Sequence, residues 1–509
     1  MVCTPDGVVG DAVLVVDGVV AAVGDRRSLS GDEPERSFGD AFLLPGLRDA
    51  HLHPIGYAAA LRGTTLATAA DFDEVAARVR VAALAGSGSP VMGMRLNEQG
   101  LAERRLPTRE LLDSACDDRP VLVHRYCGHV AIVNTAALRF AGIDADTPDP
   151  AGGTIDRDTK GEPTGVLRET AIGLVTDHLG PGNEVTTDEL LGALSRLAAV
   201  GITSVGAILR TSPGIFGGEI DIAIAAAERS PIKIGALTID EDPAAVAGTK
   251  ERIDDAPERI RWLGIKRFGD GSFGGHTAAM LDPYSDVEGT GTLRLDRVDK
   301  QIAKAAVGLG AAAAIHAIGD RACEAVIDLF GQLIVTGTDA SRLRIEHASV
   351  LTPRDVGRLS RYGISAVVQP PFLGSEADWL VDRIGPDRLE RTYPFRTMDE
   401  AGITLAGSSD SPVESPDPWA GMALARDRAG LVPAESLTAD RALAMYTTGA
   451  ASVLGEPGPL EVGSPADLIV VDHDPLSVSA DDLRQTQVLA TFVDGAEVEV
   501  DRSLPLWLD

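Results

Sequence analysis

An alternation through the middle of the chain constrains the fold most. Short β-branched runs that end near glycine or a polar residue alternate with stretches rich in Ala, Leu and Arg. The runs are Ile202–Leu209, Lys233–Ile239, Leu263–Phe268, Ala312–Ile318, Leu343–His347, Ile364–Gln369 and Ile403–Ala406, and Phe42–Leu44 before Pro45-Gly46 makes eight. Segments between them, such as Ile220–Glu228 and Arg321–Leu333, have helical spacing. Eight strands alternating with helices predict an α/β fold, a (β/α)8 TIM-like barrel, with its functional groups at the C-terminal strand ends. A doubly wound open sheet would show the same alternation. Against it, no GxGxxG follows the first strand, and Gly86-Ser87-Gly88-Ser89-Pro90 lacks the Lys-Ser/Thr of a phosphate-binding loop.

A barrel of about 250 residues leaves half of this chain to be explained. Both ends are β-rich. Ala12–Val16 and Val19–Val23 flank Asp17-Gly18, a strong hairpin signal, and near the other end Ala466–Val471 and Val488–Val493 precede Asp494-Gly495 and the alternating Ala496–Val500. The two ends are expected to pair as one small β-sandwich built from residues 1–44 and 455–509, bracketing a barrel at 45–454. Residues 58–200 are too long for one strand-to-helix connection, so an inserted subdomain is expected there, with strands at Val91–Leu96 and Pro120–His124. Long insertions at this face commonly cover a site.

Charge excludes some functions. Lys and Arg number 46 against 76 Asp and Glu, a formal charge of −30. Nucleic acid needs a basic footprint and anionic membranes attract one, so neither is an expected partner. Apolar runs such as Ala311–Ile318 fall far short of the ~20 residues that span a bilayer. Met1–Gly10 has neither a basic nor an apolar signal region. Cys3, Cys116, Cys127 and Cys323 show no CxxC spacing, which fits reduced thiols. A soluble cytoplasmic protein is expected.

Histidine and lysine, both scarce, mark the chemistry. His51 and His53 form an HxH pair after the first strand, and on extended backbone residues i and i+2 project to one side, so two imidazoles can reach one metal ion. His316 and His347 end two later runs, and Asp410 follows Leu405–Ser409. One histidine at a strand end is ordinarily structural; four with a carboxylate point to a metal centre. Lys266, one of six lysines, sits inside Leu263–Phe268. Burial would free its neutral amine to react with carbon dioxide, giving a carbamate that could bridge two cations. The alternative is an ion pair with Asp270 at the barrel rim.

Pro45-Gly46-Leu47-Arg48-Asp49-Ala50-His51-Leu52-His53 resembles the PGxxDxHxH motif of the amidohydrolase superfamily. Later blocks resemble its amidohydrolase family 3 branch, which includes N-substituted formamide deformylases. They are Ile265–Ser272, Ile315–Ala322, Arg344-Ile345-Glu346-His347, Gly407–Pro412 and Pro465–Val470, in the expected order along nearly the whole chain.

The resemblance implies two divalent metal ions, zinc by donor type, although iron, manganese or nickel would be compatible. His51, His53 and Asp410 would bind one ion and His316 and His347 the other, with carboxylated Lys266 between them. Two such ions about 3.5–4 Å apart share a water and acidify it to a bridging hydroxide. Asp410 would act as general base and then general acid in hydrolysis of a non-peptide carbon–nitrogen bond of a small-molecule amide. Cyclic-amide hydrolysis and metal-dependent deamination are the neighbouring alternatives, and an inactive scaffold is disfavoured because every expected ligand is present. The family also suggests a homodimer. Within the insertion His129 and Asn134 resemble a GHxxxxN block that faces substrate; an internal hydrogen-bond pair is the other reading. Asp270 and Arg321, past strand ends, could orient ligands or form ion pairs. His276 stands where the family usually has Arg, so it either touches substrate, with consequences for anionic groups, or braces its loop.

Overall fold

Strands of a parallel sheet covered on both faces are buried along most of their length, and those of the central sheet are, polar residues included. In the computed structural model, which describes every residue except 30, 32–33, 86–89, 127, 151, 180–183, 215 and 508–509, eight parallel strands follow one another in order around this sheet. They are β1 (Leu47–Leu52), β2 (Ile202–Arg210), β3 (Lys233–Ile239), β4 (Ile260–Phe268), β5 (Ala312–Ala317), β6 (Leu343–His347), β7 (Ser365–Val368) and β8 (Leu405–Gly407). All six residues of β1 and all five of β6 are buried. Cys127 and the Gly86–Ser89 stretch lie outside the described residues.

The ends of β8 and β1 close the ring. Asp410 N–H donates to the His51 carbonyl at 2.8 Å, and His53 N–H donates to the Ser411 carbonyl at 2.7 Å. The fold is thus the expected TIM-like barrel, with one correction. Phe42–Pro45 is not its first strand. That segment pairs in parallel with Val2–Thr4 and antiparallel with Leu468–Val471, in a separate six-stranded sheet. The change of sheet falls at Gly46, where a Cβ would lie 2.3 Å from Thr203 Oγ1. Only glycine fits there.

The six-stranded terminal sheet runs Gly7–Gly10, Val2–Thr4, Phe42–Pro45, Leu468–Val471, Val488–Val493, Ala496–Glu497. Against it packs the hairpin Ala12–Val16/Val19–Gly24, through Val13, Val15, Val20 and Val23 onto Leu43, Leu468 and Phe492. Its turn residues Asp17 and Gly18 have φ of 50° and 80°, the left-handed pair that a two-residue hairpin requires. A second six-stranded sheet lies inside the β1-to-β2 connection. Its strands run from Thr64–Thr65 at one edge through Val91–Leu96, Val121–Arg125, Val130–Val133 and Pro163–Glu169 to Gly153–Arg157. The helix Thr187–Ala199, within the stretch 58–200, packs instead on the helix Pro54–Arg62 and on β2. No helix among the described residues is long and apolar enough to cross a membrane.

The terminal sheet is fastened under the barrel by Lys233, at the start of β3. Its ammonium lies 2.8 Å from Asp467 Oδ2 and 2.7 Å from Asp494 Oδ1. Asp467 is 4% exposed, so removing the cation leaves a nearly buried carboxylate without its counter-charge. Lys233→Met is expected to destabilise the fold by about 2 kcal/mol in denaturant titration; an unchanged midpoint would mean that the contact contributes nothing.

Candidate active site

Each proposed ligand sits where a barrel strand ends. His51 is the fifth residue of β1, and His53 precedes the helix Pro54–Arg62. His316 lies in β5, His347 closes β6, and Asp410 follows β8. The parallel register sets Phe268 of β4 opposite His316, and Ala317 opposite His347. His347, Ala348 and Asp410 all have positive φ, at 73°, 47° and 57°. Such backbone costs of order 1–3 kcal/mol per residue and persists where the surroundings over-determine it.

The ligand atoms of His51, His347 and Asp410 converge within 4.8 Å of one another. Asp410 Oδ1 is 3.3 Å from His51 Nε2 and 3.2 Å from His53 Nε2. Neighbours decide which nitrogen of each ring carries its proton. His51 Nδ1 lies 2.5 Å from Glu346 Oε2, whose other oxygen accepts from Arg344 at 2.5 Å. The proton therefore sits on Nδ1, and Nε2, buried and without a hydrogen-bond partner, presents its lone pair. His347 Nδ1 donates to Gln369 Oε1 at 2.7 Å, and the orientation of that amide is fixed by Nε2 donating to Ser408 at 2.9 Å. His316 donates Nε2–H to the Gly271 carbonyl at 2.9 Å, which leaves Nδ1 as its lone-pair nitrogen. Burial pushes the His316 and His347 imidazoles well below their usual range, so both are neutral. Burial opposes charge on Asp410 too, but His51 and His53 outweigh it and hold the carboxyl well below the ordinary range. Three imidazoles with assigned lone pairs and an ionised carboxylate form a donor set suited to a divalent cation.

Lys266 is 1% exposed, with its ammonium 4.1 Å from the centre of the Phe268 ring. Burial lowers it to about 8. The alternative pairing with Asp270 is not formed. Asp270 accepts from the backbone N–H groups of Ala279, Ile318 and Gly319, and its Oδ1 is 3.3 Å from His316 Nε2.

His51, His53, Lys266, His316, His347 and Asp410 line a cavity of about 360 Å³. Its outer wall comes from the insertion: Met94, Arg95, Arg125 and His129. His129 is thus brought to the site, its Nδ1 2.9 Å from Glu169. Asn134 is not. It is fully buried, caps the helix Thr135–Phe140 by accepting from Ala137 N–H, and donates to the Cys116 and Arg119 carbonyls. His276 does not line the cavity either; its Nε2 is 3.1 Å from Asp286, and it braces its loop. Arg321 donates to the Gly291 carbonyl at 3.3 Å and likewise does not line the cavity.

The family model of the amidohydrolase family matches residues 39–499. The chain belongs to the amidohydrolase family. A Bacillus subtilis protein named as an amidohydrolase, YtcJ, is 30% identical over 512 residues, covering 95% of each chain. An N-substituted formamide deformylase of Arthrobacter pascens is 29% identical, covering 95% of this chain and 94% of its own. Among solved structures, an uncharacterised metal-dependent hydrolase from Pyrococcus horikoshii matches with a TM-score of 0.73 at 28% identity, over 92% of this chain and 95% of that one. The protein is accordingly placed among the metal-dependent hydrolases of the superfamily.

In this amidohydrolase the sequence reading overlooked the residues that set the imidazole tautomers, Glu346 and Gln369. Glu346 stands beside His347 in the Arg-Ile-Glu-His block, so its position was visible. Gln369 had no local signal, because its partner is 22 residues away. Removal of such a partner commonly weakens a metal site about 10- to 100-fold. Gln369→Leu is expected to lose divalent-cation affinity by that factor with folding retained, as measured by chelator competition. Unchanged affinity would show that Gln369 does not set the His347 ring.

Proposed function

We propose that this amidohydrolase cleaves a carbon–nitrogen bond other than a peptide bond, in a small-molecule amide. The observation that supports it most is the convergence of His51, His347 and Asp410 with a buried, unpartnered Nε2 on His51. His51, His53 and Asp410 would hold one divalent cation, zinc by donor chemistry, and His316 with His347 a second. Lys266 as its carbamate would join them. Its depressed pKa of about 8 favours this reading, since the neutral amine is the form that adds to carbon dioxide. The chemistry supplied by such cations is an acidified water and a Lewis acid for the carbonyl.

The protein's own groups divide the remaining work. Asp410 is ionised and stands within 3.3 Å of the His51 and His53 Nε2 atoms. It accepts the water's proton and returns it to the departing nitrogen. Glu346 and Gln369 hold the imidazoles, so little reorganisation accompanies the reaction. The insertion narrows the mouth and limits water.

A second reading is favoured by the same convergence. Only His51, His347 and Asp410 form a group within 4.8 Å among the described residues, which would suit a single cation and hydrolytic deamination. Metal content decides. Two equivalents with turnover of N-formyl, N-acyl or cyclic amides are expected; one equivalent with ammonia released from amino-substituted rings would favour the second reading, and a metal-free, inactive protein would overturn both. Asp410→Asn should keep the fold and lower turnover at least about 100-fold, the scale of general acid–base catalysis. Lys266→Ala should lose one equivalent of metal and recover part of its activity in millimolar acetate, which replaces the carbamate oxygens. Near-normal activity in either variant would remove that residue from the mechanism.

A further inference from the structure

The cavity has an inner recess of about 30 Å³. His316, His347 and Asp410 line both, so the recess opens beside the ligands proposed for the second cation. A water-sized group takes up about 10–15 Å³ on this measure, so about two fit. The short helix Phe372–Glu376, which follows β7, forms one side. Gln369, just past β7, orients His347 and also accepts the Phe372 N–H at its carbonyl, at 3.1 Å. Phe372 stacks on the His347 ring at 5.9 Å with 11° between planes. One turn further on, Glu376 lines the recess and is 8% exposed.

Glu376 is held in place but lacks a counter-ion. Its Oε2 accepts the Tyr393 hydroxyl at 2.6 Å, and Tyr393, itself buried, donates its N–H to the Ser349 carbonyl at 2.7 Å. Among the described residues Glu376 makes no ion pair. Arg125 and Arg383 lie near it, and both are engaged elsewhere. Arg125 holds Glu98 through two hydrogen bonds of 2.7 Å, and Arg383 holds Asp286 at 2.7 Å and the Gly274 carbonyl at 3.1 Å. Arg95 faces a second buried acid, Glu414. Burial, with the like charge of Glu414, outweighs the Tyr393 hydroxyl and the two guanidiniums and pushes the Glu376 carboxyl up to about 8.

Shape and charge together define what suits this recess. Ile318, Phe372 and Val413 give it apolar sides, and Glu376 gives it a carboxyl. A buried carboxyl without a cation is costly to ionise, and a cation that enters beside it supplies the missing counter-charge. A group of two non-hydrogen atoms, one methylene and one ammonium, fits the volume, the apolar sides and the carboxyl at once.

We propose that the acyl half of the substrate carries a short primary ammonium, as in an amide of glycine, that Glu376 receives it in this recess, and that Tyr393 is a positioning residue for Glu376. This inference rests on the amide hydrolysis proposed above and names the acyl group. Glycine p-nitroanilide and propionic acid p-nitroanilide test it, since they differ only in an ammonium against a methyl. At neutral pH the metal-loaded protein should favour the glycyl anilide about tenfold or more in kcat/KM, the scale of a hydrogen bond to a charged group. Glu376→Gln keeps an acceptor for Tyr393 and should raise KM for the glycyl anilide about tenfold, with kcat little changed and the propionyl anilide unaffected. Glu376→Asp should keep part of the preference. Tyr393→Phe should weaken it less than Glu376→Gln does, and Glu376→Gln/Tyr393→Phe should be no worse than Glu376→Gln alone. Equal kcat/KM for the two anilides in the unsubstituted protein, or equal KM changes in Glu376→Gln, would overturn the inference. Calorimetric binding of glycinamide against propionamide separates the two layers. If neither anilide is hydrolysed but glycinamide binds more tightly and Glu376→Gln abolishes the difference, amide hydrolysis falls and the ammonium site stands; equal binding of the two removes the site.

Discussion

The seam between the last and first barrel strands is the constraint on which the site depends. Asp49 of β1 accepts from Ser409 Oγ at 2.5 Å and from Ser409 N–H at 3.2 Å, and the Asp410 N–H donates to the His51 carbonyl. Asp49 is 2% exposed, and burial raises its carboxyl to about 6 against those donors. These bonds do two things. They close the ring, and they set Asp410, three residues past β8, against His51 near the end of β1. The approach of Asp410 to His51 and His53 is a consequence of strand closure, so this carboxylate needs no dedicated support. The positive φ at Asp410 follows from the same geometry, because the chain must leave β8 and turn its carboxylate inward within three residues.

A second tier of contacts converts that scaffold into a donor set. Arg344 of β6 donates to Glu346 and, through its other nitrogen, to the Ala50 carbonyl at 2.8 Å. Glu346 then holds the proton of His51. A buried guanidinium thus fixes a carboxylate, which fixes a tautomer, which exposes a lone pair. Burying so many charges would be costly if any member were unpaired, and here each charge faces an opposite one or a polar backbone group. The price of this order is that single substitutions in the second tier act on the first.

Most of the proposed ligand set was legible because it lies at strand ends, where local sequence shows both the apolar run and the polar residue that stops it. His316, His347 and Asp410 were found that way, and His51 by its HxH spacing with His53. The first strand was misplaced for a physical reason: Phe42–Pro45 is an apolar run, whereas Leu47–Leu52, which carries Arg48, Asp49 and His51, is not, and the change of sheet between them falls at Gly46, packed against Thr203. Asn134 and His276 illustrate a different limit. A motif match gives the residue type, but its role depends on what lies across space. Asn134 meets a helix end and two carbonyls, whereas His276 meets Asp286, itself held by Arg383 at 2.7 Å. Neither partner can be read from spacing.

The cavity wall shows why long-range structure decides specificity in a fold whose chemistry is local. The proposed ligands come from strand ends because the barrel aligns those ends whatever the loops contain. The wall instead comes in part from the insertion and from the helix after His53, with Trp507 packed against Arg95, segments with no shared strand order to align them. Their alignment rests on Tyr57, which is anchored to the His53 carbonyl on one side and to Trp507 on the other. A tyrosine buried this deeply needs a partner for its hydroxyl, and the Leu506 carbonyl provides it. The requirement to satisfy one buried hydroxyl therefore ties the distant segment to the helix that begins after His53. Through Arg95 it extends to the insertion, so three separately encoded parts of the chain are tied together beside the cavity that Asp410 lines.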